Sequence, residues 1–444
     1  MPSYSLVSTT NSNILNSVFN KFVKDQTLRI IHFGDSHIQG DRITSEIRST
    51  LQKTNGDAGM GMFFPYSLCG SFGPTGTQSK ISGTFSHSTF LKPKNRNIGL
   101  MGYEITMEQG ARFQMNISDK FRGQVTNQLK IWVYASCDSL PIRCDMPYVK
   151  DVLKKQVDEN LYVLTVVSEK PIDTIDFTSL TNISLWGFEY VNSNKGISYQ
   201  TSGLVGAQFT HLIQHEKYFE NQLKDLNPNV FIFSYGTNEA YAAIDSIAYS
   251  KAIRGFLTKL KNQFPSVPIV LSSCPDTRSS GRTPPSQKLV NSILANISTQ
   301  LGCCFFDLNT AMGGWGSLYS WSKNEMVLTD KLHFNAKGGA LLGKLFLTGV
   351  FSEFLNASVE YENYENDLKQ TMSQLLISTK TEQNEKSTKT ESTHYTKHTS
   401  KKHVVKSGET LSSISRKTGT SVKQLMKLNK LKNTVIHPGQ ILYY

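Results

Sequence analysis

The sequence of 444 residues predicts an α/β fold with a parallel sheet, interrupted by an inserted all-β, sandwich-like domain and followed by a small βααβ module. Three observations carry this. Short β-branched and aromatic runs alternate with amphipathic helical stretches on both sides of a long central segment. Within residues 72–189 only strand-like runs occur, separated by clusters of Gly, Asn, Asp and Ser. A polar stretch near residues 377–402 precedes a final segment in which hydrophobic patterning returns.

In chain order, residues 28–33 (LRIIHF) read as a buried strand that runs straight into Gly34-Asp35-Ser36-His37. A helical pattern follows from Asp41, with Ile43, Ile47 and Leu51 on one face. The alternation resumes with a strand at 230–235, a helix at 247–264, a strand at 269–272, a helix at 289–301, a strand at 303–308 and a helix at 335–351. Alternating strands and helices argue a parallel sheet covered on both faces. The β-type runs at 113–117, 128–134, 161–167 and 174–177 have no helix between them and read as a sandwich-like insertion. The expected boundaries are therefore 1–71 and 190–360 for the α/β domain and 72–189 for the insertion. A linker of 361–402, disordered from about 377, and a module of 403–444 complete the chain. The linker assignment rests on Ser, Thr, Lys, Glu and Gln with almost nothing to bury.

Charge separates the parts. The chain carries a formal net charge of +12, but residues 377–444 hold 13 Lys/Arg against 4 Glu, so +9 belongs to the tail and +3 to everything before it. A nearly neutral body argues against a nucleic-acid binder; a basic tail suits an anionic wall polymer as readily as a phosphate backbone. No run approaches the 18 apolar residues of a membrane span. The first 20 residues lack both a basic residue and the apolar core of a signal peptide, which leaves a cytosolic protein or one whose export signal has been trimmed. The six cysteines include no CxxC and no Cys/His spacing of zinc type, so neither a metal nor another cofactor is expected. Cys137 and Cys144 are spaced to bridge across a hairpin in an oxidising compartment, with ordinary thiols as the alternative.

A serine at the turn between a buried strand and a helix exposes its hydroxyl above the sheet edge, with backbone N–H groups aimed at whatever binds there. Ser36 is so placed, although a helix cap formed by Asp35 or Ser36 explains the same tripeptide. A hydroxyl nucleophile needs a base, and the base an orienting carboxylate. Asp330 and His333 offer both, three residues apart in a polar loop before the last helix. His32, His37, His87, His211 and His215 are rivals without an acidic residue in that relation. Asn238, after the strand at 230–235, emerges at the same sheet edge and supplies an uncharged donor for a developing oxyanion.

These words together resemble the SGNH (GDSL-type) hydrolases. Gly34-Asp35-Ser36 matches the nucleophile block, Gly203-Leu204-Val205-Gly206-Ala207 the glycine block, Gly236-Thr237-Asn238 the oxyanion asparagine, and Asp330-x-x-His333 the dyad. The resemblance implies a flavodoxin-like three-layer sheet, catalysis by Ser36, His333 and Asp330, and an oxyanion hole of Ser36, Gly206 and Asn238. Glu239 stands where many members have Asp. The β insertion between the first two blocks, and Gly187-Phe188-Glu189-Tyr190 leading to Gly196, look like the peptidoglycan O-acetylesterase branch. The tail is similar to a LysM module that grips N-acetylglucosamine-containing glycan, with Gly408, Glu409, Thr410, Leu411, Ile436 and Pro438 as implied contacts. The implied protein is an esterase of the periplasm or cell envelope whose partner is peptidoglycan or a related glycan. An O-acetyltransferase, an esterase of another acetylated polysaccharide and a non-catalytic wall-binding protein are the alternatives.

Overall fold

Strand Thr27–Gly34 sends Leu28 and Ile30 to one side of its sheet and Ile31 and Phe33 to the other, and all four are buried. The same division recurs in Val230–Ser234, where Val230 and Ile232 join one core and Phe231 and Phe233 the other. A strand buried on both faces belongs in a parallel sheet covered by helices. The computed structural model describes residues 4–22, 26–73, 77–91, 98–117, 125–278, 284–355 and 361–376, and 402–443 apart from 407, 430, 432, 435 and 438. Residues 1–380 form one compact unit and 381–444 another.

In the first unit, five strands form a parallel sheet in the order Gly196–Gly203, Thr27–Gly34, Val230–Ser234, Ile269–Ser272, Cys304–Phe306. Gly34 lies abreast of both Gly203 and Ser234, so three strands end at one rim. Helices Phe209–Leu226, Ser246–Gln263 and Gln287–Leu301 cover one face. Helices Asn13–Lys21, Thr44–Asn55 and Ala336–Val350 cover the other.

Three expectations need correction. The helix read from Asp41 starts at Thr44, because Asp41 adopts a left-handed backbone (φ 53°) and uses its carboxylate to bind Arg48 and the Thr44 hydroxyl. The strand read at 303–308 covers only Cys304–Phe306, since Asp307 caps a short helix at Leu308–Ala311. Residues 361–376, read as the start of the linker, form a helix that buries Tyr361, Leu368, Met372 and Leu375 in the second core. The remainder of the linker, 377–401, lies outside the described residues.

The central segment contains two antiparallel sheets. One runs Phe85–Thr89, Tyr103–Met107, Ile183–Tyr190, Gln128–Tyr134, Leu161–Ser168, Val149–Asp158, with Met62–Phe63 added against Phe188 and Glu189. The other runs Thr77–Ser82, Arg112–Ile117, Thr174–Ser179, Ile142–Cys144. Phe113, Met115 and Ile117 alternate inward, and Phe113 meets Phe188 of the other sheet with ring centroids 5.2 Å apart. The apolar residues of these sheets and of one face of the parallel sheet form a continuous cluster. All six cysteines are unpaired thiols, including Cys137 and Cys144.

The second unit pairs strands Lys402–Val404 and Ile441–Tyr443 around helices Leu411–Thr418 and Val422–Leu428. Val405, Leu411, Ile414, Leu425 and Leu442 form its core.

Candidate active site

A Cβ on Gly34 would come within 2.2 Å of Ile38 Cγ1 and 2.8 Å of the Ser234 carbonyl oxygen. Glycine therefore lets the chain turn sharply into the short helix Ser36–Gln39. Asp35 caps it by accepting the His37 amide at 2.9 Å, so the cap and the turn that carries Ser36, itself buried, are one construction.

Ser36 Oγ lies 2.8 Å from His333 Nε2, and His333 Nδ1 lies 2.7 Å from Asp330 Oδ2. The other oxygen of Asp330 accepts the amides of Leu332 (2.9 Å) and His333 (3.0 Å). Burial pushes the Asp330 carboxyl up, but the His333 ring and these amides outweigh it and hold the group below the usual carboxylate range. An ionised Asp330 only accepts, so Nδ1 carries the ring proton and the Nε2 lone pair faces the serine.

The loop bearing these residues is pinned from several sides. Val327 bridges Phe334, Lys331 takes a left-handed backbone (φ 57°), and the Lys331 carbonyl accepts the Arg278 amide at 2.9 Å. Arg42 donates to the Phe334 carbonyl at 2.8 Å, and His37 Nε2 lies 3.0 Å from the Leu332 carbonyl.

The glycine block meets the turn at Ser36 closely. A Cβ on Gly203 would lie 2.1 Å from the Gln39 nitrogen, Leu204 donates to the Gly34 carbonyl at 3.1 Å, and Val205 donates to Gln39 Oε1 at 2.6 Å. Gly206 has φ 80°, a backbone that favours glycine. Asn238 donates from Nδ2 to the Ala207 carbonyl at 2.8 Å, which joins the second and third blocks. Glu239 is buried and accepts the amides of Phe209 (2.7 Å) and Gly236 (3.1 Å) and the Tyr249 hydroxyl (3.1 Å), so it holds the turn under Asn238.

A cavity of about 340 Å³ is lined by Ser36, His333 and Asp330 together with Arg42, Phe72 and Phe334, among others. No cluster of His, Cys, Asp and Glu able to hold a metal occurs among the described residues. No helix there is long and apolar enough to cross a membrane.

The rival histidines are accounted for. His32 is buried between the Tyr199 and Ser234 hydroxyls, each 2.7 Å away, and burial pushes it down to about 3. His211 Nδ1 accepts the Gln208 amide at the start of its helix, His215 stacks on Phe90, and His87 lies exposed on a strand. Gln39, which no motif singled out, joins the turn at Ser36 to the glycine block and, through its amide nitrogen, to Ser71 and the Phe72 carbonyl. Its only sequence signal is a polar residue on a short helix beside the motif.

In the second unit Gly408 has φ 82°, and Thr410 caps a helix by accepting the Ser413 amide. Glu409 accepts the Lys406 amide (2.9 Å) and binds His403 (2.7 Å) and Lys417 (2.6 Å). Leu411 is 2% exposed, so its side chain serves the core. Ile436 packs half-buried against that core; Pro438 lies outside the described residues.

Comparison with known proteins adds two matches at the level of families. Residues 182–341 match the GDSL-like lipase/acylhydrolase family, and residues 403–443 match the LysM domain. Among solved structures, a peptidoglycan O-acetylesterase is similar over 78% of this chain and 96% of its own, at 20% identity and a TM-score of 0.62. An acetyl xylan esterase aligns with 34% of this chain and 80% of its own, at 16% identity and a TM-score of 0.29. The lipase/acylhydrolase from Enterococcus faecalis covers 34% of this chain and 75% of its own, at 18% identity and a TM-score of 0.28. A comparison with curated proteins finds no match.

Proposed function

We propose that this serine ester hydrolase, with its GDSL-like acylhydrolase domain and its LysM domain, removes O-acetyl groups from bacterial cell-wall peptidoglycan. The observation that carries the reading is the hydrogen-bonded line from Ser36 Oγ through the His333 ring to the Asp330 carboxylate. His333 Nε2 takes the Ser36 proton as Oγ bonds to the acetyl carbon. The oxyanion is held by the N–H groups of Ser36 and Gly206 and by the Asn238 side-chain amide. His333 then protonates the departing sugar oxygen, and water repeats the sequence on the acetyl-serine to release acetate. Asp330 keeps the ring in the required tautomer and balances its charge when protonated.

The LysM domain holds N-acetylglucosamine-containing glycan and raises the concentration of wall polymer near Ser36 without altering the chemical step. The LysM match supports a location at the cell envelope. The test is acetate release from O-acetylated peptidoglycan by the parent, Ser36→Ala and Asn238→Ala. Ser36→Ala is expected to abolish release, and Asn238→Ala to lower turnover about 100- to 1,000-fold with the fold intact. Parent-like release by Ser36→Ala overturns the nucleophile assignment, and parent-like release by Asn238→Ala removes that residue from the oxyanion hole.

A further inference from the structure

His37, the residue after the nucleophile, is buried, and both of its ring nitrogens face acceptors. Nδ1 lies 3.0 Å from Asp35 Oδ1, and Nε2 lies 3.0 Å from the Leu332 carbonyl oxygen. A carbonyl oxygen cannot donate, so Nε2 must carry a proton. Asp35 Oδ1 already accepts the His37 amide at 2.9 Å, as a carboxylate oxygen does and a carboxylic O–H oxygen does poorly, so Nδ1 must carry a proton as well.

We infer that His37 is a fixed imidazolium that clamps the His333 loop to the nucleophile turn. This inference rests on the proposed roles of Ser36 and His333. The two histidine rings have centroids 5.4 Å apart, so the clamp sits directly beside the ring it positions. Burial alone would push the Asp35 carboxyl up and the His37 ring down; their attraction and hydrogen bonds reverse both shifts.

The charged and titratable groups around the pair are consistent with this. Asp35 is the counter-ion, and Asp330 on the facing loop attracts the same charge. Arg42 lines the cavity that His37 also borders and donates to the Phe334 carbonyl, while the Phe334 ring lies 5.9 Å from His37. Behind Asp35 stand His32, held neutral by burial, Tyr235, and Glu239. No carboxylate other than Asp35 is bonded to the His37 ring among the described residues. His37 is thus a positioning residue. Its two N–H groups tie Asp35 of the nucleophile turn to the Leu332 carbonyl, next to His333, and so hold the base loop in place.

The test has two parts. Nitrogen-15 spectra of the imidazole rings in the full chain are expected to show both His37 nitrogens protonated from pH 6 to 9, in the parent and in Ser36→Ala alike. An unprotonated ring nitrogen on His37 at pH 8 overturns the inference and leaves the nucleophile assignment standing. In the second part, His37→Gln keeps a donor near the Leu332 carbonyl but removes the charge. On a small acetyl ester kcat is expected to fall about tenfold with KM unchanged, because the base is held less firmly against Ser36. Asp35→Asn/His37→Gln, a neutral pair, is expected to lower kcat in the same way. A folded His37→Gln enzyme with parental kcat overturns the clamp, whereas activity retained in Ser36→Ala bears only on the proposed nucleophile.

Discussion

Replacing Asp330 by Asn separates the charge of this side chain from its shape. The retained carbonyl oxygen still accepts the amides of Leu332 and His333, so the loop keeps its form. The new amide nitrogen faces His333 Nδ1 across a contact of 2.7 Å and donates to it, which moves the ring proton to Nε2. An N–H then points at Ser36 Oγ where a lone pair is needed. Losing one charge-assisted hydrogen bond costs about 1.5–3 kcal/mol and sets a floor near tenfold. The same exchange in a triad with a buried aspartate costs about 10⁴-fold, which sets a ceiling. The Asp330 side chain is 45% exposed, so water screens its charge and the effect falls between these limits. The expected loss in kcat/KM is about 100- to 1,000-fold, or about 3–4 kcal/mol in the barrier. Initial rates on a small acetyl ester measure it, with circular dichroism and a thermal melt to show that the fold is kept. A folded variant that loses less than about fivefold refutes the tautomer argument.

Two further predictions concern the frame. A chain ending at residue 376 is expected to keep its melting temperature and its rate on a soluble acetyl ester, but to lose about tenfold or more on insoluble wall. A chain ending at 360 also removes Leu368, Met372 and Leu375 from the core, about 5–8 kcal/mol of burial, and should melt far lower; equal melting of the two truncations contradicts the packed helix. Burial pushes Glu239 up to about 7, and the amide of Phe209 offsets only part of that. The folded state therefore binds this proton more tightly than the unfolded chain, and the resulting stabilisation is full below about pH 4 and lost as pH rises through about 7. Over that window the change is about 3 kcal/mol, so the parent's melting temperature should fall from pH 5 to 8 relative to Glu239→Gln. Parallel curves refute the assignment.

The rim of the parallel sheet was legible because each of its words is local. A strand, a glycine and a polar residue follow one another directly at Gly34-Asp35-Ser36 and at Gly236-Thr237-Asn238. Asp330 and His333 were legible for the same reason, since three residues of loop are enough to close the carboxylate onto the ring. Gln39 and His37 escaped because their meaning lies in partners 166 and 295 residues away, which no periodicity records. Helix 361–376 carried a signal that composition masked. Tyr361, Tyr364, Leu368, Met372 and Leu375 fall at helical spacing, but they are embedded among Glu, Asn, Asp and Gln. The start at Thr44 was hidden because a left-handed Asp41 is set by its bond to Arg48, a choice of tertiary origin.

The apolar cluster shared by the antiparallel sheets and one face of the parallel sheet has a consequence for how such a chain can be divided. Cutting out the middle third would take the Phe90 ring off His215 and the Leu100 backbone off Gln222 and Ser202, leaving two raw surfaces where one seam had been. The acyl-transfer rim and the β-layers are in that sense a single inheritance: neither can be traded to another scaffold without recarving the surface on which both were closed.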